Sequence, residues 1–246
     1  MSHTLATFVL LLVACGATEE PAQAEPSVAA GQGGEGHGAG HPGAGPHQGP
    51  HAGHQHDFSD AERWAALFDD PARDAWQRPE EVVELLAVER GMTVVDLGAG
   101  TGYFLPYLAR AVAEHGTVLA LDVEPAMVEH MRRRIAEQSI PRAEARVVSP
   151  DDPGLAPGSV DRILIVDTWH HIGDRTAYAQ KLHAALEPGG SVLVVDFTPE
   201  SPHGPPPEMR LSASTVATEL RAAGFTPELL TESLPYQYAL RATRAE

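Results

Sequence analysis

The chain predicts an α/β fold over residues 58–246: a doubly wound, mainly parallel sheet with helices on both faces, in three layers. Three observations carry that prediction. Short β-branched or aliphatic runs alternate with helical patterns along the whole segment. A glycine-rich turn, Gly98 to Gly102, stands directly between an apolar run and an amphipathic helical pattern. Two final apolar runs meet around Pro235 with no helix between them, which suits an antiparallel hairpin at one sheet edge.

The elements follow in order. Ser59 or Asp60 can cap a first helix carrying Trp64, Leu67 and Phe68 at helical spacing. Pro79-Glu80-Glu81 opens a second, because proline is tolerated in the first turn and carboxylates suit the positive end of the helix dipole. Val82, Val83, Leu85 and Leu86 supply its buried face, and Gly91 ends it. These helices fill residues 58–91. Strands then fall at 93–97, 117–122, 145–148, 160–166 and 191–197, between helices near 103–114, 125–138, 174–186 and 212–223. The closing strands are 227–234 and 236–242, and no internal repeat is evident. Arg132-Arg133-Arg134 sits mid-helix with Glu129 and Glu137 at helical spacing, the pattern of a solvated face.

The amino-terminal quarter has a different character. Leu5 to Ala14 is an uncharged apolar run that as a helix would reach only about 15 Å, half of a bilayer's hydrocarbon core. It cannot span, but it fits the apolar region of a secretory signal over residues 1–15. Residues 16–57 lack apolar periodicity and read as a Gly/Pro/His-rich linker. Its histidines His37, His41, His47, His51, His54 and His56 make either a plain tether or a weak, adaptable chelator of divalent metal.

Composition excludes several functions. The chain of 246 residues holds 34 Asp plus Glu against 17 Lys plus Arg, a formal charge of −17. That balance opposes a nucleic-acid partner, which needs a basic face to release phosphate counterions. One cysteine, Cys15, permits neither an intramolecular disulfide nor a thiolate zinc site.

Four motifs carry chemistry. Asp96-Leu97-Gly98-Ala99-Gly100-Thr101-Gly102 closes a strand and turns sharply, with glycines that let backbone approach a ligand. A dinucleotide fingerprint would have its third glycine at position 103, where this chain has Tyr103, so a nucleotide-cofactor oxidoreductase is disfavoured. Asp96 beside the turn suits an ammonium or sulfonium better than a pyrophosphate. Asp122, followed by Val123, ends the next strand where an acidic side chain can accept both hydroxyls of a ribose. Asp151 and Asp152 precede Pro157-Gly158-Ser159-Val160-Asp161, and a side chain there can accept from an exocyclic amine. Leu186-Glu187-Pro188-Gly189-Gly190 turns a helix into a buried strand that ends in Asp196.

As a set and in this order, these motifs resemble the class I S-adenosylmethionine (SAM)-dependent methyltransferases, over about residues 80–242. The resemblance looks closest to the small-molecule enzymes, quinone-biosynthesis enzymes among them. It implies a class I sheet, SAM as cofactor and methyl transfer to a small acceptor, lipophilic if the enzyme works at a membrane. It also implies that Asp96, Gly98, Ala99, Gly100 and Gly102 surround the methionine part. Asp122 and Val123 would meet the ribose region, and Asp151 or Asp152 the adenine. Relatives often read Asp-Ala where this chain has Asp151-Asp152, which leaves open which aspartate acts. Leu12-Val13-Ala14-Cys15 likewise resembles the lipobox of bacterial lipoproteins, although Met1 to Thr4 carries no Lys or Arg. It implies a lipid anchor at Cys15 and a cell-envelope location; an unprocessed signal would instead leave the protein in the cytoplasm.

The segment Val166-Asp167-Thr168-Trp169-His170-His171 should border the reacting methyl, and it lacks the N-P-P-Y sequence of nucleic-acid amino-methylating relatives. An oxygen, thiol or acidic carbon acceptor needs a base, and His170 and His171 are the candidates. Neighbouring side chains diverge, so only one can easily point at the site; either can instead simply satisfy loop backbone. Asp167 would contact SAM or orient a histidine. Trp169 is an acceptor wall or core. Trp76, Arg78 and the proline-rich loop 198–208 either close the pocket or brace it. The competing function is a non-catalytic metal-binding lipoprotein whose histidine tract works while the globular domain is passive.

Overall fold

The computed structural model describes residues 60–245, so the expected signal segment at 1–15, Cys15 and the histidine tract lie outside the described residues. Seven strands form one sheet: β1 (Thr93–Leu97), β2 (Thr117–Asp122), β3 (Ala143–Val147), β4 (Val160–Val166), β5 (Leu186–Phe197), β6 (Phe225–Leu229) and β7 (Gln237–Arg244). Their order is β3-β2-β1-β4-β5-β7-β6. β7 runs antiparallel to both neighbours, β5 and β6, and the remaining pairings are parallel. The expected class, with an antiparallel pair at one edge, is the class observed.

The strands read as continuous apolar runs because both faces are covered. Val95, Leu119, Ile163 and Val194 face a core shared with α6 (Arg175–Ala185) and α7 (Ala213–Ala222). Their neighbours Val94, Val118, Leu164 and Val195 face the other core, under α3 (Pro79–Leu86), α4 (Leu105–Val112) and α5 (Pro125–Glu137). The period of two thus loads both layers at once. Trp169 is fully buried in the α6/α7 core, with its indole N–H donating to Glu219 at 2.9 Å; it is core, not an acceptor wall.

Local expectations are refined in four places. Asp60 is the residue that caps α1 (Ala61–Phe68), accepting from Arg63 N at 3.1 Å. α1 buries only Ala61, and Leu67 is 62% exposed, because the helix lies over the sheet's edge and docks onto α5. Two arginines of α5 make that joint, Arg133 reaching Glu62 at 2.8 Å and Arg134 reaching Asp69 at 2.7 Å, while Arg132 holds Ala145 O of β3 at 3.2 Å and pairs with Glu129 at 3.8 Å. Arg132 and Arg133 stay exposed, as a solvated face requires, and Arg133 and Arg134 also clasp α1. α3 ends at Ala87, which takes a left-handed φ of 55°, and Gly91 belongs to the following turn. At the last edge, β6 ends at Leu229, Leu230 still donates its N–H to Ala239 O at 2.9 Å, and residues 231–236 lead irregularly into β7.

Candidate active site

In open α/β sheets ligands sit beyond the carboxyl ends of the strands, where the strand order reverses. Here that place lies between β1 and β4. Four adjacent strands, β2, β1, β4 and β5, bring aspartates to their carboxyl ends: Asp122, Asp96, Asp167 and Asp196.

The glycine turn after β1 is held against β2. Gly98 N and Ala99 N both donate to Leu121 O, at 2.8 and 3.1 Å. Gly100 N donates to Asp122 Oδ2 at 2.8 Å, and Glu124 N donates to Asp122 Oδ1 at 2.9 Å. Gly98, Gly100 and Gly102 all have positive φ, at 72°, 56° and 80°. At Gly98 a Cβ would run into the Thr168 side chain, so the turn and the loop after β4 pack backbone to side chain. Val123, next along, is 51% exposed.

Asp96 is 3% exposed, and its Oδ2 has no hydrogen-bond partner among the described residues. Burial, and next the neighbouring Asp122 charge, push its carboxyl up to about 7, with Arg73 opposing. Burial also raises Asp122, against the three backbone N–H groups that point at it. A buried acceptor without a donor is costly in isolation, and it fits a ligand that brings a cation.

The loop after β4 gives the two histidines different exposure, although their ring centres lie 4.2 Å apart. Asp167 takes an unusual left-handed φ of 51°, and a 3-10 turn over Trp169–His171 follows. His170 is 3% exposed at its side chain, with Nδ1 3.0 Å from both Asp196 oxygens; His171 is exposed. Asp196 is fully buried at the end of β5 and also accepts from Phe197 N at 2.9 Å. A carboxylate on Nδ1 holds the proton there and leaves Nε2 as the basic nitrogen. Asp196, not Asp167, orients the histidine. Asp167 instead accepts from Gln237 Nε2 at 2.6 Å and lies 4.0 Å from Arg73 Nη2. Burial and the Asp196 charge raise its carboxyl, with Arg73 and Gln237 pulling the other way.

Residues ahead of α3 complete the site. Gln77 on α2 (Asp74–Gln77) donates to Gln237 Oε1 at 2.8 Å and accepts from Arg73 Nη2 at 2.9 Å. The Arg73 guanidinium also lies 4.1 Å from the Tyr103 ring centre. Asp69 accepts from Thr101 Oγ1 at 3.0 Å, and Tyr103 donates its hydroxyl proton to Asp74. Segment 68–77 thus lies over the glycine turn. Trp76 groups with Phe197, His203 and Tyr236, ring centres 6.1 to 6.4 Å away from its own, and ties the proline-rich loop to the same corner. Arg78 pairs with Glu81 at 3.6 Å and donates to Ser233 Oγ, bracing α3 against the segment that leads into β7.

Asp151 and Asp152 follow Val148, whose N–H donates to Asp122 O at 2.9 Å. Both are exposed, on the loop after β3. Asp151 accepts from Ser149 Oγ at 2.5 Å, and Asp152 binds Lys181 Nζ at 3.2 Å and Gly154 N at 2.8 Å. Among the described residues no group of three or more His, Cys, Asp or Glu could hold a metal ion.

Sequence reading missed Asp196, Arg73, Gln77 and Gln237. Asp196 had a usable signal. Val-Val-Asp96, Ala-Leu-Asp122, Ile-Val-Asp167 and Val-Val-Asp196 repeat one pattern, an aspartate closing an apolar run. The other three carry none: Gln77 and Gln237 meet across 160 residues, and Arg73 reaches the site through Gln77 and Asp167.

Comparison with known proteins agrees with this geometry. A family model described as a methyltransferase domain matches residues 94–190. A ubiquinone/menaquinone biosynthesis C-methyltransferase UbiE of Coxiella burnetii is 28% identical over 109 residues, 44% of this chain and 44% of that one. The UbiE protein of Klebsiella pneumoniae is 27% identical over 124 residues, covering 50% of this chain and 49% of its own. The chain therefore spans about half the length of these curated relatives or less. The crystal structure of a SAM-dependent methyltransferase from Aquifex aeolicus superposes with a TM-score of 0.72 at 28% identity, covering 78% of this chain and all of that one. The [4+2]-cyclase SpnF shares the fold at a TM-score of 0.60 and 16% identity, over 70% of this chain and 81% of its own. Residues 94–190 thus match a methyltransferase domain, and the sheet they belong to has the class I, SAM-dependent methyltransferase fold.

Proposed function

We propose that the chain transfers a methyl group from SAM to a small acceptor, with His170 as the base that removes the acceptor's proton. The observation that carries this reading is the buried His170–Asp196 pair, Nδ1 3.0 Å from both carboxylate oxygens, beside the aspartate-lined strand ends. When bound, SAM supplies an electrophilic methyl on a positively charged sulfur and departs as a neutral thioether.

The remaining work belongs to the protein. Asp96 offers an unpartnered oxygen to the ligand's ammonium, and Asp122 offers its remaining lone pairs to ribose hydroxyls. The positive-φ glycines keep side chains out of the ligand's way. His170 Nε2 takes the proton while Asp196 stabilises the resulting imidazolium, an assistance worth about 10²–10⁴-fold in rate. Trp76, Phe197 and Tyr236 supply an apolar, flat-walled corner that begins directly after Asp196, the partner of that base.

The UbiE relatives are named for quinone biosynthesis, which makes a demethylated quinone precursor the first acceptor to try. Transfer of labelled methyl from SAM to such a precursor, lost in His170→Ala while SAM still binds, is the expected result. Transfer undiminished in His170→Ala would remove the histidine from the mechanism. A lipid anchor at Cys15 belongs to the same proposal, since it would hold the domain near lipophilic acceptors. Palmitate incorporation in the wild type and none in Cys15→Ser is the matching outcome.

A further inference from the structure

We propose that the cofactor binds in exchange for a proton: Asp96 is neutral in the ligand-free protein and becomes a carboxylate when the cationic cofactor arrives. This rests on the SAM reading above and adds a pH-dependent device to the same site.

The geometry comes first. Asp96 and Asp196 are buried, Asp122 and Asp167 are partly buried, and all four close neighbouring strands. The groups facing Asp96 are Asp122 from β2 and Arg73 from the amino-terminal segment. Asp122 is faced by Glu124 and by the N–H groups of Gly100, Val123 and Glu124. Asp167 is faced by Asp196 from β5, Arg73, His170 and Gln237 from β7. Four carboxylates therefore share one guanidinium and one imidazole. His170 is committed to Asp196, and Arg73 stands nearer to Gln77 than to any of the aspartates. Among the described residues, Asp96 Oδ2 is left with no donor.

Such an oxygen is stable as a neutral carboxyl and poor as an anion, which is why its carboxyl titrates near neutrality. A ligand carrying an ammonium and a sulfonium reverses the preference. The carboxyl O–H bond breaks, the proton goes to solvent, and the carboxylate stays with the cation. Once the methyl has left, the ligand holds one positive charge fewer, so the cluster regains protons as the product departs. SAM affinity should therefore rise with pH, and the affinity ratio of SAM to S-adenosylhomocysteine should rise with it.

The test is calorimetric titration of the full chain with SAM and with S-adenosylhomocysteine between pH 5.5 and 7.0, in two buffers of different ionisation enthalpy. In that range the ligands' own α-amino groups stay charged, below their pKa of about 7.7–8.0. For a carboxyl titrating near 7, SAM affinity should increase about tenfold across the range, with nearly one proton released per SAM near pH 6. The rise should be shallower for S-adenosylhomocysteine. Asp96→Asn, checked for folding by circular dichroism, should bind SAM more weakly at pH 7.0 and show no such slope. A SAM affinity independent of pH in the wild type overturns the proposal, as does a tenfold rise that survives in Asp96→Asn. An equal rise for both ligands overturns the discrimination between them. Failure of SAM to bind at any pH is a separate result, which overturns the cofactor reading itself.

Discussion

Asp196 and Gly98 show how much single residues are asked to do. Asp196 fixes one tautomer of His170 and pairs with the imidazolium that proton transfer creates. Asp196→Asn keeps the shape and removes the charge, so methyl transfer should fall by about 10²-fold or more, with SAM affinity within twofold of wild type. Single-turnover rates beside equilibrium binding separate the two effects, and an unchanged rate would contradict the role. Gly98 combines a φ of 72° with a position where a Cβ meets Thr168. Gly98→Ala should weaken SAM binding more than tenfold. Gly91→Ala is the control: its φ is 93°, but a Cβ there meets nothing within 4 Å. It should cost roughly 1 kcal/mol of stability and leave binding intact.

At the scale of elements, the decisive joint is between the amino-terminal segment and β7. Gln77 is fully buried, gives its amide N–H to Gln237 and takes the Arg73 guanidinium on its oxygen. Gln237 then holds Asp167 at 2.6 Å, directly ahead of the loop that carries His170. Gln77→Leu strips a donor from Gln237 and an acceptor from Arg73. It should cost about 1–3 kcal/mol, because buried polar partners are left unpaired. Residues 60–78 should then be cut faster by limited proteolysis than in the wild type, and an unchanged cleavage rate would refute the coupling. Elements were also the scale most legible in sequence. The helix that Pro79 opens, the strands at 93–97, 117–122 and 160–166, and the turn at Gly98–Gly102 all come from local period and local backbone need. The errors lie where tertiary context overrides propensity. Trp64, Leu67 and Phe68 look like a core face, yet their helix lies on the rim and is held by arginine clasps.

For the whole molecule, gathering four aspartates at one end of the sheet trades stability for binding. Asp96 has a folded-state carboxyl near 7, above its unfolded value of 3.8. Between those values the folded state holds more protons than the unfolded one, so stability drawn from this group falls as pH rises through that window. Asp96→Asn should therefore raise the stability of the ligand-free protein at pH 8, by roughly 1–2 kcal/mol after the unpaired amide is allowed for. Urea denaturation at pH 5 and pH 8 checks this: the gain should shrink at the lower pH, where the wild-type carboxyl is neutral. A variant less stable than wild type at pH 8 would show that Asp96 already has a compensating partner.

The alternation of strands and helices, the glycine turn with its flanking Asp96 and Asp122, and the family those motifs resemble are all legible along the linear chain. These are local properties, written in the spacing of apolar residues and in the few places that need glycine. Only the tertiary structure decided which histidine is buried, that Asp196 rather than Asp167 holds it, and that Arg73, Gln77 and Gln237 complete the site. His170 and Asp196 are 26 residues apart, and Gln77 and Gln237 are 160 apart. Their meeting depends on β4 lying beside β5 and on β7 slotting between β5 and β6. Sheet order is a global outcome of packing two apolar faces, and no local pattern of residues encodes it.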